Sequence, residues 1–138
     1  MTDARSSAGA LGLMQLMPAT AQYTAKLLNL PPHNDKALLT PAYNIQLGSG
    51  YLRYVLNKFG GNPVLATAAY NAGPGRVRQW RPNGTAMPVD LWVEAIPFNE
   101  TRKYVQNVMT YSVLFDYRLQ RPIQTLSQRM PATVPPQP

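Results

Sequence analysis

The sequence predicts an all-α domain. Apolar residues recur at helical spacing through most of the chain, proline and glycine punctuate it where helices start and stop, and no alternating strand pattern exceeds a few residues. Pro18 followed by Ala-Thr-Ala-Gln opens a helix that reaches about Leu28 before Pro31-Pro32 stops it. Asn29 to Lys36 reads as a loop. Thr40-Pro41 supplies a cap and a first-turn proline. Ile45, Gly48, Leu52, Val55, Leu56 and Phe59 then form the predicted inward face, and Gly60-Gly61 end the run. Asn62-Pro63 starts the next helix in the same way and Gly73 closes it. Pro74 begins a short helix to Trp80, Arg81 to Pro88 reads as a loop, and Asp90 caps a short helix stopped by Pro97. Asn99 caps the last and clearest helix, with a stripe of Val105, Val108, Ser112, Phe115 and Leu119. Beyond Arg121-Pro122 the pattern fails. Met130 to Pro138, with four of the 14 prolines, reads as an extended or disordered tail.

Composition narrows the chemistry. The 138 residues suit one domain and contain no cysteine, which excludes a disulfide framework, a thiol nucleophile and a thiolate zinc site. One histidine, His33, excludes a multi-histidine metal site and leaves a single candidate for a Ser-His relay. Charged residues make up 14%, against about 25% in an ordinary domain, and the net charge is +7. That balance fits an acidic partner: nucleic acid, an anionic membrane or an anionic cell-wall polymer. The uncharged run from Ser6 to Ala25 is broken by Gln15, Pro18 and Gln22, so it reads neither as a membrane span nor as a secretory signal.

Only six carboxylates are available. Asp35 lies in a loop, Asp90 and Glu100 sit at helix starts, and Asp116 lies on a polar helix face, so these read as solvated charges or caps. Glu94 differs, because it interrupts the apolar run Leu91 to Phe98. A carboxylate buried there needs a partner, for which Arg102 is the candidate, or else it lines a cleft. Two small-residue segments, Ser7 to Pro18 and Ala68 to Arg76, allow close approach of backbone to backbone or to ligand. Neither is a phosphate loop. Arg76, Arg78 and Arg81 with Trp80 form a basic-aromatic cluster suited to a solvated face, a phosphate or a sugar ring.

Four segments occur in a fixed order: Gly9-Ala-Leu-Gly-Leu-Met-Gln-Leu-Met-Pro18, Asn44-Ile through Gly48, Ala69-Tyr-Asn-Ala-Gly-Pro-Gly75, and Glu94-Ala-Ile-Pro-Phe98 with Glu100-Thr-Arg102 and Tyr104-Val105. Together they resemble the catalytic domain of the soluble lytic transglycosylases over about Ser6 to Tyr117. The resemblance implies a goose-type-lysozyme-like, all-α fold with a groove for peptidoglycan glycan strands. It implies cleavage of the β-1,4 bond between N-acetylmuramic acid and N-acetylglucosamine without water, leaving a 1,6-anhydromuramoyl end. By position, Ser6, Gln15, Met17, Tyr70, Asn71, Glu94 and Tyr104 match substrate-binding positions, with Glu94 in a hydrogen-bonding and positioning role. No cofactor and no metal are implied, since the spaced acids of a calcium loop are absent. A periplasmic or cell-envelope location is implied.

The family's catalytic glutamate, in a Glu-Ser pair, lies upstream of the serine that Ser6 matches. Counting back places it before Met1, and Asp3 stands too late in the motif and is too short to replace it. Residues 1–121 therefore read as an N-terminally truncated catalytic domain that is inactive alone, and 122–138 as a proline-rich extension. Loss of the glutamate-bearing helix is expected to expose Leu13, Leu16 and the Ala66 to Tyr70 helix and so to favour self-association. The rival classes are a non-catalytic peptidoglycan-binding module and a basic nucleic-acid-binding helical domain. The second rests only on the +7 charge and the Arg76 to Arg81 cluster, and no nucleic-acid partner is expected.

Overall fold

The computed structural model describes residues 4–138, so Asp3 lies outside the described residues. Helices dominate, as expected: α1 (Pro18–Leu27), α2 (Asp35–Leu38), α3 (Pro41–Lys58), α4 (Pro63–Ala72), α5 (Pro74–Trp80), α6 (Val89–Glu94), α7 (Asn99–Arg118) and α8 (Leu126–Arg129). Two-residue strands β1 (Met87–Pro88) and β2 (Thr133–Val134) pair antiparallel. The chain divides into two compact units, Met1–Tyr54 and Val55–Pro138, with the boundary inside α3.

In the first unit a loop over residues 4–17 folds on itself through bridges Arg5 to Leu11 and Leu11 to Leu16. Asn44 of α3 organises it. The side chain is fully buried, its Nδ2 donates to the Leu11 and Leu38 carbonyls at 3.0 and 2.9 Å, and its Oδ1 accepts from the Met14 amide at 2.7 Å. That one polar residue sets which side of α3 faces in. The buried line is Asn44, Leu47, Tyr51, Val55 and Phe59, whereas Ile45 and Leu52 are exposed. Gly48, Val55 and Phe59 are buried as predicted, but Ile45 and Leu52 give way to Asn44, Leu47 and Tyr51, because a buried amide with three partners outcompetes an isoleucine for the interior. The loop predicted from Asn29 to Lys36 is shortened by α2, whose cap Asn34 accepts from the Ala37 amide at 2.9 Å. His33 rests against Tyr43, with Nδ1 and the phenol oxygen 3.0 Å apart.

The second unit is built around α4, where every residue from Val64 to Ala69 is buried. A helix apolar all round must be central, and α4 packs against both α5 and α7. Trp92, Ile96, Val105 and Val134 complete the core. The Trp92 indole N–H, which needs a partner once buried, donates to the Trp80 carbonyl at 2.8 Å.

Several local expectations change. Asn99 is the first residue of α7 and Phe98 precedes it as cap; Asp90 likewise sits inside α6, accepting from the Leu91 amide. The buried line of α7 is Thr101, Val105 and Met109, while Phe115 and Leu119 are 65% and 49% exposed. The reason is length: α4 has ten residues, about 15 Å, and α7 twenty, about 30 Å, so α4 covers only part of it. Asp116 pairs with Arg129 of α8. Leu16 and Ala66 to Ala69 are buried, contrary to the expected exposure, because the residue 4–17 loop folds on itself and α5 and α7 pack on α4; Leu13 alone of those is exposed. The tail is extended but docked: Val134 is fully buried, and Arg81 donates to the Pro135 and Pro136 carbonyls at 3.1 and 2.6 Å.

Candidate functional site

Three candidates belong to the first unit and share its residue 4–17 loop. Ser6 is half-buried and its Oγ accepts from the Ala10 amide at 2.9 Å, closing a turn. Gln15 is exposed and adopts φ +48°, unusual for a residue with a side chain. Its Nε2 donates to the Gly12 carbonyl at 2.8 Å, which anchors that turn. Met17 is exposed and precedes α1. Gly12 makes the arrangement feasible. Its φ is +76°, and a Cβ there would collide with the Asn44 amide. At Gly48 a Cβ would stand 2.5 Å from the Met14 side chain, so α3 presents bare backbone to the loop.

The other four candidates belong to the second unit. Tyr70 and Asn71 occupy the last turn of α4, which Gly73 ends. Asn71 is exposed, and its Oδ1 accepts from the Thr101 hydroxyl at 2.7 Å. Thr101 is buried on α7 and lies one turn before Tyr104, so Asn71 and Tyr104 are set beside one line of that helix. Burial pushes the Tyr104 phenol above its ordinary pKa, which keeps it a neutral donor. Glu94 ends α6 and is exposed; it accepts from Gln106 Nε2 at 3.1 Å. Gln106 lies about 200° around α7 from Tyr104. Arg102 donates instead to Asn99, so the Glu94–Arg102 pair is not formed.

Beside these, Phe98 meets Trp80 edge to face at 5.1 Å, and the Arg76 guanidinium lies 4.8 Å above the Phe98 ring. Arg76 is therefore packed on an aromatic face and Arg81 is committed to the tail carbonyls, which breaks up the basic cluster expected from sequence. Among the described residues no group of histidine and acidic side chains could hold a metal ion. No described helix is long and apolar enough to cross a membrane.

Three positioning residues were not singled out from sequence: Asn44, Thr101 and Gln106. The first two stand inside the segments Asn44 to Gly48 and Glu100-Thr-Arg102. A lone polar residue in register with the buried line of α3 was the available signal for Asn44. Nothing in the sequence marked Gln106.

The comparisons with known proteins agree with this architecture. The family model described as the transglycosylase SLT domain matches residues 1–91, and that of the soluble lytic transglycosylase helical domain matches residues 95–123. The soluble lytic murein transglycosylase of Escherichia coli K12 is 47% identical over 115 residues, covering 82% of this chain and 18% of that protein. This chain therefore spans less than a fifth of that relative. Among solved structures, an inactive mutant of the lytic transglycosylase Slt of Pseudomonas aeruginosa superposes with a TM-score of 0.83 at 52% identity, over 91% of this chain and 20% of the other. The 70-kDa soluble lytic transglycosylase of Escherichia coli gives 0.80 at 40% identity, over 95% and 21%. The fold is the lysozyme-like, helical one of these enzymes, and the chain belongs to the transglycosylase SLT domain family.

Proposed function

We propose that this chain is part of a peptidoglycan lytic transglycosylase, acting in the periplasm or cell envelope. The reaction is cleavage of the β-1,4 bond between N-acetylmuramic acid and N-acetylglucosamine, with a 1,6-anhydromuramoyl product. Residues 1–121 belong to the catalytic domain and 122–138 to an extension of it. Ser6, Gln15, Met17, Tyr70, Asn71, Glu94 and Tyr104 contact the glycan. The observation that carries this reading is the investment in holding those groups: Asn44 fixes the loop bearing Ser6 and Gln15, Thr101 fixes Asn71, and Gln106 fixes Glu94. Oriented amides, hydroxyls and a neutral phenol suit the hydroxyl and N-acetyl groups of a sugar.

The chemistry needs one carboxylic acid that protonates the leaving oxygen and then, as carboxylate, takes the proton of the muramoyl C6 hydroxyl as that oxygen closes on C1. No carboxylate within Met1–Pro138 matches the family's acid, and Glu94 is an exposed, amide-bonded positioning group. The 138-residue chain assayed alone therefore binds glycan without turning it over. An acid-base group is worth about 10²–10⁴ in rate, while its loss affects ground-state binding far less.

The test has two arms. Mass spectrometry of purified peptidoglycan incubated with this chain is expected to find no anhydromuropeptides, and turnover like that of an intact relative would overturn the assignment of roles. Titration with chitotetraose, followed by NMR, is expected to shift Gln15, Tyr70, Asn71 and Tyr104. Unchanged spectra in a folded protein would refute glycan binding. A nucleic-acid ligand would instead show a steep loss of affinity with salt.

A further inference from the structure

The end of α3, the turn into α4 and the C-terminal segment from Gln128 to Pro135 border an open cleft of about 610 Å³. Small-ligand sites span roughly 300–1,000 Å³. None of the seven glycan candidates lines it. Its surface is of two kinds: Phe59, Pro131 and Pro135 are apolar, and Lys58, Arg81 and Arg129 are cationic. Among the described residues no carboxylate lines it. Asp116 reaches Arg129 from outside the cleft, through the α7–α8 ion pair.

Both walls are fixed. The turn holds Gly60 and Gly61 at φ +62° and +80°, and Asn62 caps α4 by accepting from the Val64 and Leu65 amides. The opposite wall is pinned by pairing of Met87 with Val134, by the buried Val134 side chain and by a capping box between Thr125 and Gln128. Arg81 spends only part of its donor fork on the Pro135 and Pro136 carbonyls. Arg129 Nε is buried with no hydrogen-bond partner, a donor that a native fold rarely leaves unmet.

We propose that this cleft binds a peptide carboxylate. Guanidinium groups match carboxylates in geometry and charge, and the apolar walls suit an aliphatic peptide body better than a bare ion. The proposal rests on the peptidoglycan reading above for the source of that group: the acidic peptide stems of the same polymer. The glycan is then gripped by one set of residues and its peptide by another.

The test is an NMR titration of the 138-residue chain with four probes. These are the tripeptide L-alanyl-γ-D-glutamyl-meso-diaminopimelate, the same tripeptide with its carboxyls amidated, inorganic phosphate and chitotetraose. The free tripeptide is expected to shift the Gly60, Gly61, Gln128 and Met130 amides, and the amidated one is not. Lys58→Glu reverses a charge at an exposed position and is expected to weaken tripeptide binding about tenfold or more. Lys58→Gln should weaken it less, with the remaining spectrum unchanged in both. Absence of tripeptide shifts at those amides, or indifference to Lys58→Glu, overturns the proposal. Equal shifts with phosphate overturn the peptide source. Chitotetraose reports on the glycan reading separately: its failure beside intact tripeptide shifts refutes that reading and leaves the carboxylate cleft, and the converse refutes the cleft alone.

Discussion

Replacing Asn44 by alanine should loosen the loop that carries three of the glycan candidates. The side chain makes three hydrogen bonds in a site with no access to water. The Leu11 carbonyl would keep its bond from the Leu16 amide at 3.0 Å. The Met14 amide and the Leu38 carbonyl would lose the partner that Asn44 supplies. Losing these two hydrogen bonds costs about 1–3 kcal/mol each, so the sum is about 2–6 kcal/mol. Against a total stability of about 5–15 kcal/mol that is a large fraction. With a urea slope near 2 kcal/mol/M, the midpoint should fall by roughly 1–3 M. Amide exchange gives the local readout, because the Met14 N–H should lose its protection before the core of α4 does. Asn44→Asp sharpens the argument. It keeps the acceptor for Met14 but turns a second oxygen toward two carbonyls and buries a charge. Burial and those lone pairs raise its folded-state pKa above the unfolded value near 3.9. That variant should be most stable below the unfolded value and lose stability as pH rises through the folded one. An Asn44→Ala chain with an unchanged urea midpoint and a protected Met14 amide would falsify this account of the loop.

Glycine replacements should sort by what surrounds them. Gly12→Ala forces a side chain at positive φ into the Asn44 amide and should cost more than about 2 kcal/mol, whereas Gly75→Ala, in open space on α5, should be neutral or stabilise by about 0.5–1 kcal/mol in thermal melts. Tyr104 gives an alkaline signature. Since burial raises its folded pKa, its contribution is complete below about pH 10 and is lost as pH rises through the folded value, so Tyr104→Phe should flatten the fall in melting temperature above pH 10. Val134→Ala removes two methyl groups from a fully buried position and should cost about 2–3 kcal/mol in urea titrations. A value near zero would show that the C-terminal segment contributes nothing to the second core.

Proline and glycine made the helix ends readable. Asn62-Pro63, Gly73-Pro74 and Pro97 mark local backbone restrictions, which belong to the residue and survive any tertiary context. Facing was harder to read, because it depends on partners remote in sequence. Ile45 lost its place to Asn44, whose three partners come from residues 11, 14 and 38. Phe115 reads as core from the sequence because nothing in α7 itself says where α4 stops. The tail misled for the same reason: Thr133-Val134 has no alternation to read, and its partner Met87-Pro88 lies in what looked like a loop. The glycan candidates were legible only as ordered motifs. Their supports were partly hidden, since Gln106 reaches Glu94 from a different helix.

The pairing of Met87 with Val134 also sets a clock on synthesis. The two residues are 47 positions apart (134 − 87). At about 5–20 residues per second, Val134 follows Met87 out of the ribosome by about 2–9 s. During that interval Val89 and the apolar seat of Val134 stand open on a nascent chain that already carries the full apolar length of α4. Such a surface is what holdase chaperones and proteases recognise. Export in an unfolded state, on the periplasmic reading, would move the same interval to the far side of the membrane. Arrival of Thr133-Val134 would then decide whether the second unit closes or is degraded.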